Sequence, residues 1–196
     1  MRRGLAELVV IFVGVTAAFF VEGYRSDLDQ REQLSQVTEG ILVELRRHEV
    51  RSREHADSIA ARLSAWHSAD SDGKRAIPGF YVIPGAPYPP TPAWDAAVSS
   101  GVASLYEPSL RRELGYYFSE FVGIHVNYAR RLSFIEIEIL PRARSGPDAF
   151  YDPTGALLPR FATEMELLQD FANDLLRLTE LATTLRVQLE AGKGAS

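Results

Sequence analysis

"LAELVVIFVGVTAAFFVEGYR", residues 5–25, decides how the rest of this chain is read. Between Leu8 and Val21 it carries no charge and a single hydroxyl, Thr16. Three structures suit such a run: a membrane span, a cleaved export signal, or a buried helix of a soluble core. A helix from Leu5 to Val21 is about 25 Å long at ~1.5 Å per residue, the short end of what a hydrocarbon layer about 30 Å thick needs. Arg3 on one side and Tyr24 and Arg25 on the other lengthen its reach, because long or amphipathic side chains settle at the interface. Glu7 falls near the first headgroup layer, where a carboxylate costs far less than at mid-bilayer. An export signal fits less well, since Glu7 interrupts its entry and bulky Phe19, Phe20 and Val21 directly follow the small residues of the would-be cleavage site. A soluble core helix fits least, because apolar residues face every side. Residues 1–24 are therefore expected to be a membrane anchor, with the lipid bilayer as a partner.

Size and charge constrain the chain beyond the anchor. It has 196 residues in all, a net charge of −5 and no cysteine. That is room for one anchor and one domain, read as a bundle over 25–191 with a frayed tail at 192–196. Without a basic excess, nucleic acid is not an expected partner. Without cysteine there are no disulfides, no thiolate metal sites and no cysteine nucleophile. Arg2, Arg3 and the terminal amine lie together on one side of the span, whereas Arg25 and Arg31 are spread among Glu22, Asp27 and Asp29 on the other. This slight bias favours a cytoplasmic N-terminus and a domain beyond the membrane. Gly14 and Ala18 form a small-x-x-x-small pair, candidates for self-association of the span.

The remaining pattern is helical. Leu34, Val37, Ile41 and Leu45, then Ile59, Leu63 and Trp66, recur at helical spacing, with His48, Ser52 and His55 in the middle of the stripe. The simplest reading is one helix continuous with the span to about Trp66, with possible bends at Gly23 and Gly40, stopped by the solvated turn SADSDGK at 68–74. Residues 77–92 (IPGFYVIPGAPYPPTP) carry too many prolines for a helix and read as an extended strap. Thr91 looks like an N-cap before Pro92, and Gly101 like the residue that ends the short helix they open. From Pro108 a stripe through Leu114, Tyr117, Phe121, Ile124 and Tyr128 continues to Ile139, and Pro141 should end it. A second irregular loop occupies 142–155. TEME (163–166) resembles a capping box, and the stripe from Phe161 to Leu189, near the 3.5-residue step of a coiled coil, makes the last helix. The expected fold is all-α: a transmembrane helix continuous with an antiparallel helical bundle joined by two Pro-rich irregular loops.

Few residues point to chemistry. His48 and His55 lie two turns apart on one helix face, with Glu44 one turn before His48; completed by His125 they would suit a metal. The Glu-x-x-His pairs of carboxylate-bridged bundles are absent, so a polar seam open to water is preferred, and alanine at 48 and 55 is expected to change stability little. Ser99 and Ser100 lack the strand and the Gly-x-Ser-x-Gly frame of a nucleophile elbow. No phosphate loop or dinucleotide fingerprint is present. Trp94, Tyr117 and Tyr81, with neighbouring aromatics, would line a pocket for a small ligand or partner, although aromatic clusters are more often core.

Two segments carry a family resemblance. Glu7, the apolar run with Gly14 and Ala18, and the exit at Glu22–Tyr24 form the first; WDAAVSSGVASLYEPSLRRELGYYFSEF (94–121) is the second. Together they resemble a bacterial family of uncharacterised, single-span, membrane-anchored proteins, although Gly23 and Tyr24 stand where that family often has Asn and Trp. The resemblance implies an inner-membrane anchor with a cytoplasmic N-terminus, and no activity. The functional expectation is a membrane-tethered, non-catalytic interaction or scaffolding module, with no cofactor, an unknown protein partner, and self-association through the span or bundle. A small-ligand sensor with an aromatic pocket is the alternative, and a metal-dependent enzyme a weaker one.

Overall fold

The apolar stripes become three long helices. The structure, a computed structural model, describes the backbone of residues 2–80, 82 and 90–193, and the side chains of 28–80, 82 and 90–192. Helix α1 is Arg2–Ser71, α3 is Pro108–Phe134 and α5 is Pro159–Lys193, with the short α2 (Pro92–Ser99) and a 3-10 turn (Val102–Leu105) before α3. Among the described residues there is no strand beyond one isolated bridge, Tyr151 to Leu157, so the chain is all-α. No helix among the described residues is long and apolar enough to cross a membrane. The anchor expected at 1–24, with Gly14, Ala18 and Gly23, lies outside the described side chains. Gly192 and Lys193, expected in the frayed tail, belong to α5.

The core is built from the expected positions. Ile41, Leu45, Ile59 and Leu63 of α1, Leu114 to Tyr128 of α3 and Met165 to Leu189 of α5 are buried against one another. Directions differ from a simple up-down bundle. Arg46 pairs with Glu190 and Arg186 with Glu49, so α5 runs antiparallel to α1. Glu120–Arg177 and Arg131–Glu164 make α3 antiparallel to α5 as well. Thr38 meets Tyr106 and His48 meets Tyr117, so α1 and α3 run in the same direction. The reason is the stretch between Ser71 and Pro92. Extended, it reaches about 65 Å at ~3.3 Å per residue, more than the roughly 45 Å of helix from Gly40 to Ser71. It returns the chain to the end from which α1 entered.

Several local expectations are corrected. Gly40 does not interrupt α1, and a Cβ there would stand 3.0 Å from the Cβ of Ala93, so glycine lets α2 lie directly on α1. Thr91 sits at the N-cap position, but its hydroxyl donates to the Asp95 carboxylate at 3.0 Å instead of capping. Gly101 does take the left-handed conformation (φ 78°) that ends the helix cheaply only for glycine. Helix α3 is capped by Glu107, whose carboxylate accepts from the Ser109 and Leu110 amides. TEME is not a capping box, because α5 begins at Pro159 and Thr163 is already inside it; the amides of Phe161 and Ala162 donate instead to the Leu158 carbonyl.

Pro141 does not end its helix either. Residues Ile135–Ile139 widen into a π turn, in which the Leu140 amide donates to the Ile135 carbonyl, and a further turn, α4 (Leu140–Ala143), continues from it. Proline has no N–H and its ring crowds the carbonyl four residues back, so the wider turn accommodates it. The Arg142 guanidinium then donates to the Glu138 carbonyl at 2.8 Å and to its carboxylate at 2.6 Å. FIEIEIL is thus helical as expected, with Ile135 and Ile139 buried and Ile137 exposed.

A smaller apolar cluster, Ile135, Ile139, Phe150, Tyr151 and Phe161, closes this far end of the bundle, with Phe80 of the strap packed on it. Tyr151 fastens three segments. Its hydroxyl accepts from Trp66 Nε1 (3.3 Å) and the Ala76 amide (3.2 Å) and donates to the Ala76 carbonyl (2.7 Å). Tyr151→Phe leaves those groups unpaired and is expected to cost about 1–3 kcal/mol of unfolding free energy, read from chemical denaturation. A loss of only a few tenths would show that water replaces the hydroxyl without penalty.

Candidate functional site

In the middle of α1 the apolar stripe lapses into Glu44, His48, Ser52 and His55, successive steps along one face. Polar side chains at core positions need partners, and the neighbouring elements supply them. The N-terminus of α2 points at Glu44, whose Oε1 accepts from the Ala93 amide at 2.7 Å. A carboxylate from another helix thereby does the capping that Thr91 does not, where the helix dipole favours negative charge. Its second oxygen, Oε2, is buried without a partner. Burial pushes the Glu44 pKa up, and the Ala93 and Trp94 amides partly offset this.

His48 is 5 % exposed. Its ring stacks on Phe121, centroids 3.7 Å apart at 14°, and Nδ1 lies 3.1 Å from the Tyr117 hydroxyl. Burial pulls its pKa down to about 3, helped by His125, Arg47 and Arg51, so the ring is neutral at physiological pH. Tyr117 is pushed upward by burial and by Glu44 and Glu49, so its proton stays on. His125 Nδ1 is 2.7 Å from the Phe121 carbonyl, which only accepts, so that nitrogen carries the proton. Burial also lowers His125 and the half-buried His55, the latter further depressed by His125.

The seam is therefore polar but packed, not open to water. Alanine at 48 would leave a cavity beside Phe121 and strip the Tyr117 hydroxyl of its partner. His48→Ala is therefore expected to be destabilising rather than nearly neutral. Among the described residues no three His, Asp or Glu side chains converge as a metal set. His48 and Tyr117 come together; His55 stands two turns further along. Trp94 stacks on Phe118, 5.3 Å away at 6°, with its edge over Gly115. Tyr81 lies outside the described residues. Ser99 and Ser100 hydrogen-bond back to the Ala96 carbonyl, as helix-ending serines do. Four cavities among the described residues, of about 410, 620, 760 and 10 Å³, are lined by none of Trp94, Tyr117, His48 and His55.

The roomiest of those cavities is elsewhere, at the end of the bundle where α1 enters. A cleft of about 760 Å³ lies between the start of α1, the 3-10 turn leading into α3 and the end of α5. Leu34, Leu105, Leu110 and Leu189 wall it, and Arg31 stands at its rim. No family model, curated protein or solved structure matches this chain. The cleft therefore has to be read from its own chemistry. Leu105 ends a 3-10 turn and Tyr106 is the extended residue after it, both outside every periodic stripe, which is why the sequence pattern did not mark them.

A second feature missed from the sequence is the Arg131–Glu164 pair between α3 and α5. Both side chains are 13 % exposed, with Nε 3.3 Å from Oε1. Arg131 Nη1 and Nη2 are buried with no hydrogen-bond partner. Burial lowers the Arg131 pKa and raises that of Glu164. A void of about 10 Å³ beside them, lined by Phe80, Tyr128 and Leu168, is about the size a single water needs.

Proposed function

We propose that the chain is a membrane-tethered, non-catalytic interaction module, anchored by residues 1–24 in the inner membrane with its N-terminus cytoplasmic and its bundle periplasmic. The observation that carries this is the continuity of α1, Arg2–Ser71, through the apolar stretch 5–21 and into the bundle core. A helix shared by tether and core fixes the bundle rigidly to whatever surrounds that stretch. The family resemblance of residues 5–25 and 94–121 points the same way. The seam supports a structural role: at neutral pH His48 is neutral, Tyr117 keeps its proton, and both are buried against each other and Phe121.

Removal of residues 1–24 is expected to release the protein from membranes into the supernatant of a high-speed spin. A truncated chain that still sediments with membranes, resisting high-salt and alkaline washes, would overturn the tether. A second reading, small-ligand binding, is favoured by the cleft at the α1 end rather than by the aromatic cluster first expected to form a pocket.

A further inference from the structure

The cleft at the entry end of the bundle has a divided character. Its walls are leucines from four elements, Leu34 of α1, Leu105 of the 3-10 turn, Leu110 of α3 and Leu189 of α5. The buried hydroxyls are paired: Thr38 donates to the Leu34 carbonyl at 2.6 Å and pairs with the Tyr106 hydroxyl at 2.9 Å, while Ser35 and Gln188 are exposed at the edge. Glu107 also lines the cleft, but its carboxylate is committed to the α3 N-terminus. The inner surface therefore offers contact and asks for no hydrogen bond. Arg31 is the one cation among the described residues lining it, is exposed, and forms no ion pair with a described carboxylate. Leu105 is 40 % exposed. An apolar interior with an exposed guanidinium at the rim is complementary to an amphiphile with an anionic head.

Position selects the source. Arg31 lies nine residues of α1 beyond Glu22, at the end of the apolar stretch, about 14 Å of helix. The extended acyl chain of a membrane lipid is longer than that gap. We infer that the cleft receives an acyl chain of an anionic phospholipid from the adjoining leaflet, with the lipid phosphate held by Arg31. This rests on the membrane-tethered reading above. It makes the entry end of the bundle a lipid-engaging surface and the far end, with its strap and π turn, the free one.

The test uses the full chain, kept in solution by an amphipathic polymer so that no detergent competes for the cleft. Leu105→Trp places an indole on the wall, and the wild-type chain, whose Trp66 and Trp94 lie outside the cleft lining, is the reference. The probe is a phosphatidylglycerol with short brominated acyl chains, below its micelle concentration, because bromine quenches indole emission on contact. Saturable quenching is expected in L105W and not in wild type. A phosphatidylcholine of the same chains should bind more weakly. In the L105W background, Arg31→Glu should raise the half-quenching concentration of the phosphatidylglycerol about fivefold. Ser35→Phe, at an exposed position on the rim, should block quenching without disturbing the core. Emission from L105W that tracks wild type overturns the inference. So does quenching that the two lipids share equally and R31E leaves unchanged, or a dimer broken by S35F in a chain indifferent to lipid. Flotation of the wild-type chain with lipid vesicles reads the tether separately. A chain that floats but is not quenched keeps the tether and loses the cleft; one that is quenched but does not float keeps the cleft and loses the tether.

Discussion

Glu164→Ala will lower the stability of the bundle by about 3 kcal/mol, because it removes the carboxylate paired with the buried Arg131 guanidinium and leaves only the exposed Asp170 acting on it. The expectation rests on three facts. Both side chains are nearly covered, Arg131 already has two nitrogens without partners, and burial raises the Glu164 pKa and lowers that of Arg131. The pair is held together against its own desolvation. Replacing both partners with apolar residues of similar size, Arg131→Met with Glu164→Leu, removes the desolvation and the attraction together. The double variant should be within about 1 kcal/mol of wild type or above it. Urea titrations of wild type, Glu164→Ala and the double variant, monitored by circular dichroism, give the comparison directly. If the single and double variants lose equal stability, the pair is not desolvated as the geometry indicates.

Acid will destabilise the fold through the seam. His48 has a pKa of about 3 in the folded chain against an ordinary 6.5, so on acidification the unfolded chain takes up its proton first. The contribution of His48 is complete above pH 6.5 and is lost as the pH falls towards 3, about 5 kcal/mol in all at roughly 1.4 kcal/mol per pH unit. His125 and His55, also lowered, act in the same direction. Glu44 and Glu164 oppose them: their folded pKa values are raised, so the folded state takes up those protons first and gains stability as the pH falls towards 4.5. Histidine loss is expected to prevail below pH 6. The groups facing His48 are Tyr117 and His125 on α3 and Arg47 and Arg51 on its own helix, none of which welcomes another positive charge. In His48→Gln the fall in stability between pH 6.5 and 4.5 should be shallower by about 1.4 kcal/mol per pH unit. Equal slopes in the two proteins would mean that His48 is not held neutral by the core.

Both effects belong to contacts between helices, and that is where sequence reading stopped. The stripes on α3 and α5 were legible because each is a periodicity within one segment, and every residue of the α5 stripe from Phe161 to Leu189 is buried. Gly101 was legible because one residue type suits one backbone conformation. Glu44 was visible as a carboxylate on an apolar face, but nothing near it in sequence showed that the capped helix starts at Pro92. Gly40 looked like a weakness in a helix and proved to be a contact surface for Ala93. Arg131 and Glu164 each border an apolar stripe in an unremarkable way, and only the packing of α3 on α5 makes them a pair. The π turn was hidden for a similar reason: Pro141 marks where a regular helix fails, not which irregular form replaces it.

The pairing of α1 with α5 carries a consequence for how the chain is made. Arg46 meets Glu190 and Glu49 meets Arg186 across separations of 144 and 137 residues, so the first helix of the bundle to leave the ribosome finds its main partner in α5. At ~5–20 residues per second that is a delay on the order of ten seconds, during which Ile41, Leu45 and Ile59 have no finished groove to enter. Contacts of such long range also slow folding once synthesis is complete. A nascent chain with this topology exposes the apolar face of α1 until α5 emerges, and a premature stop before α5 removes the helix on which that face chiefly packs.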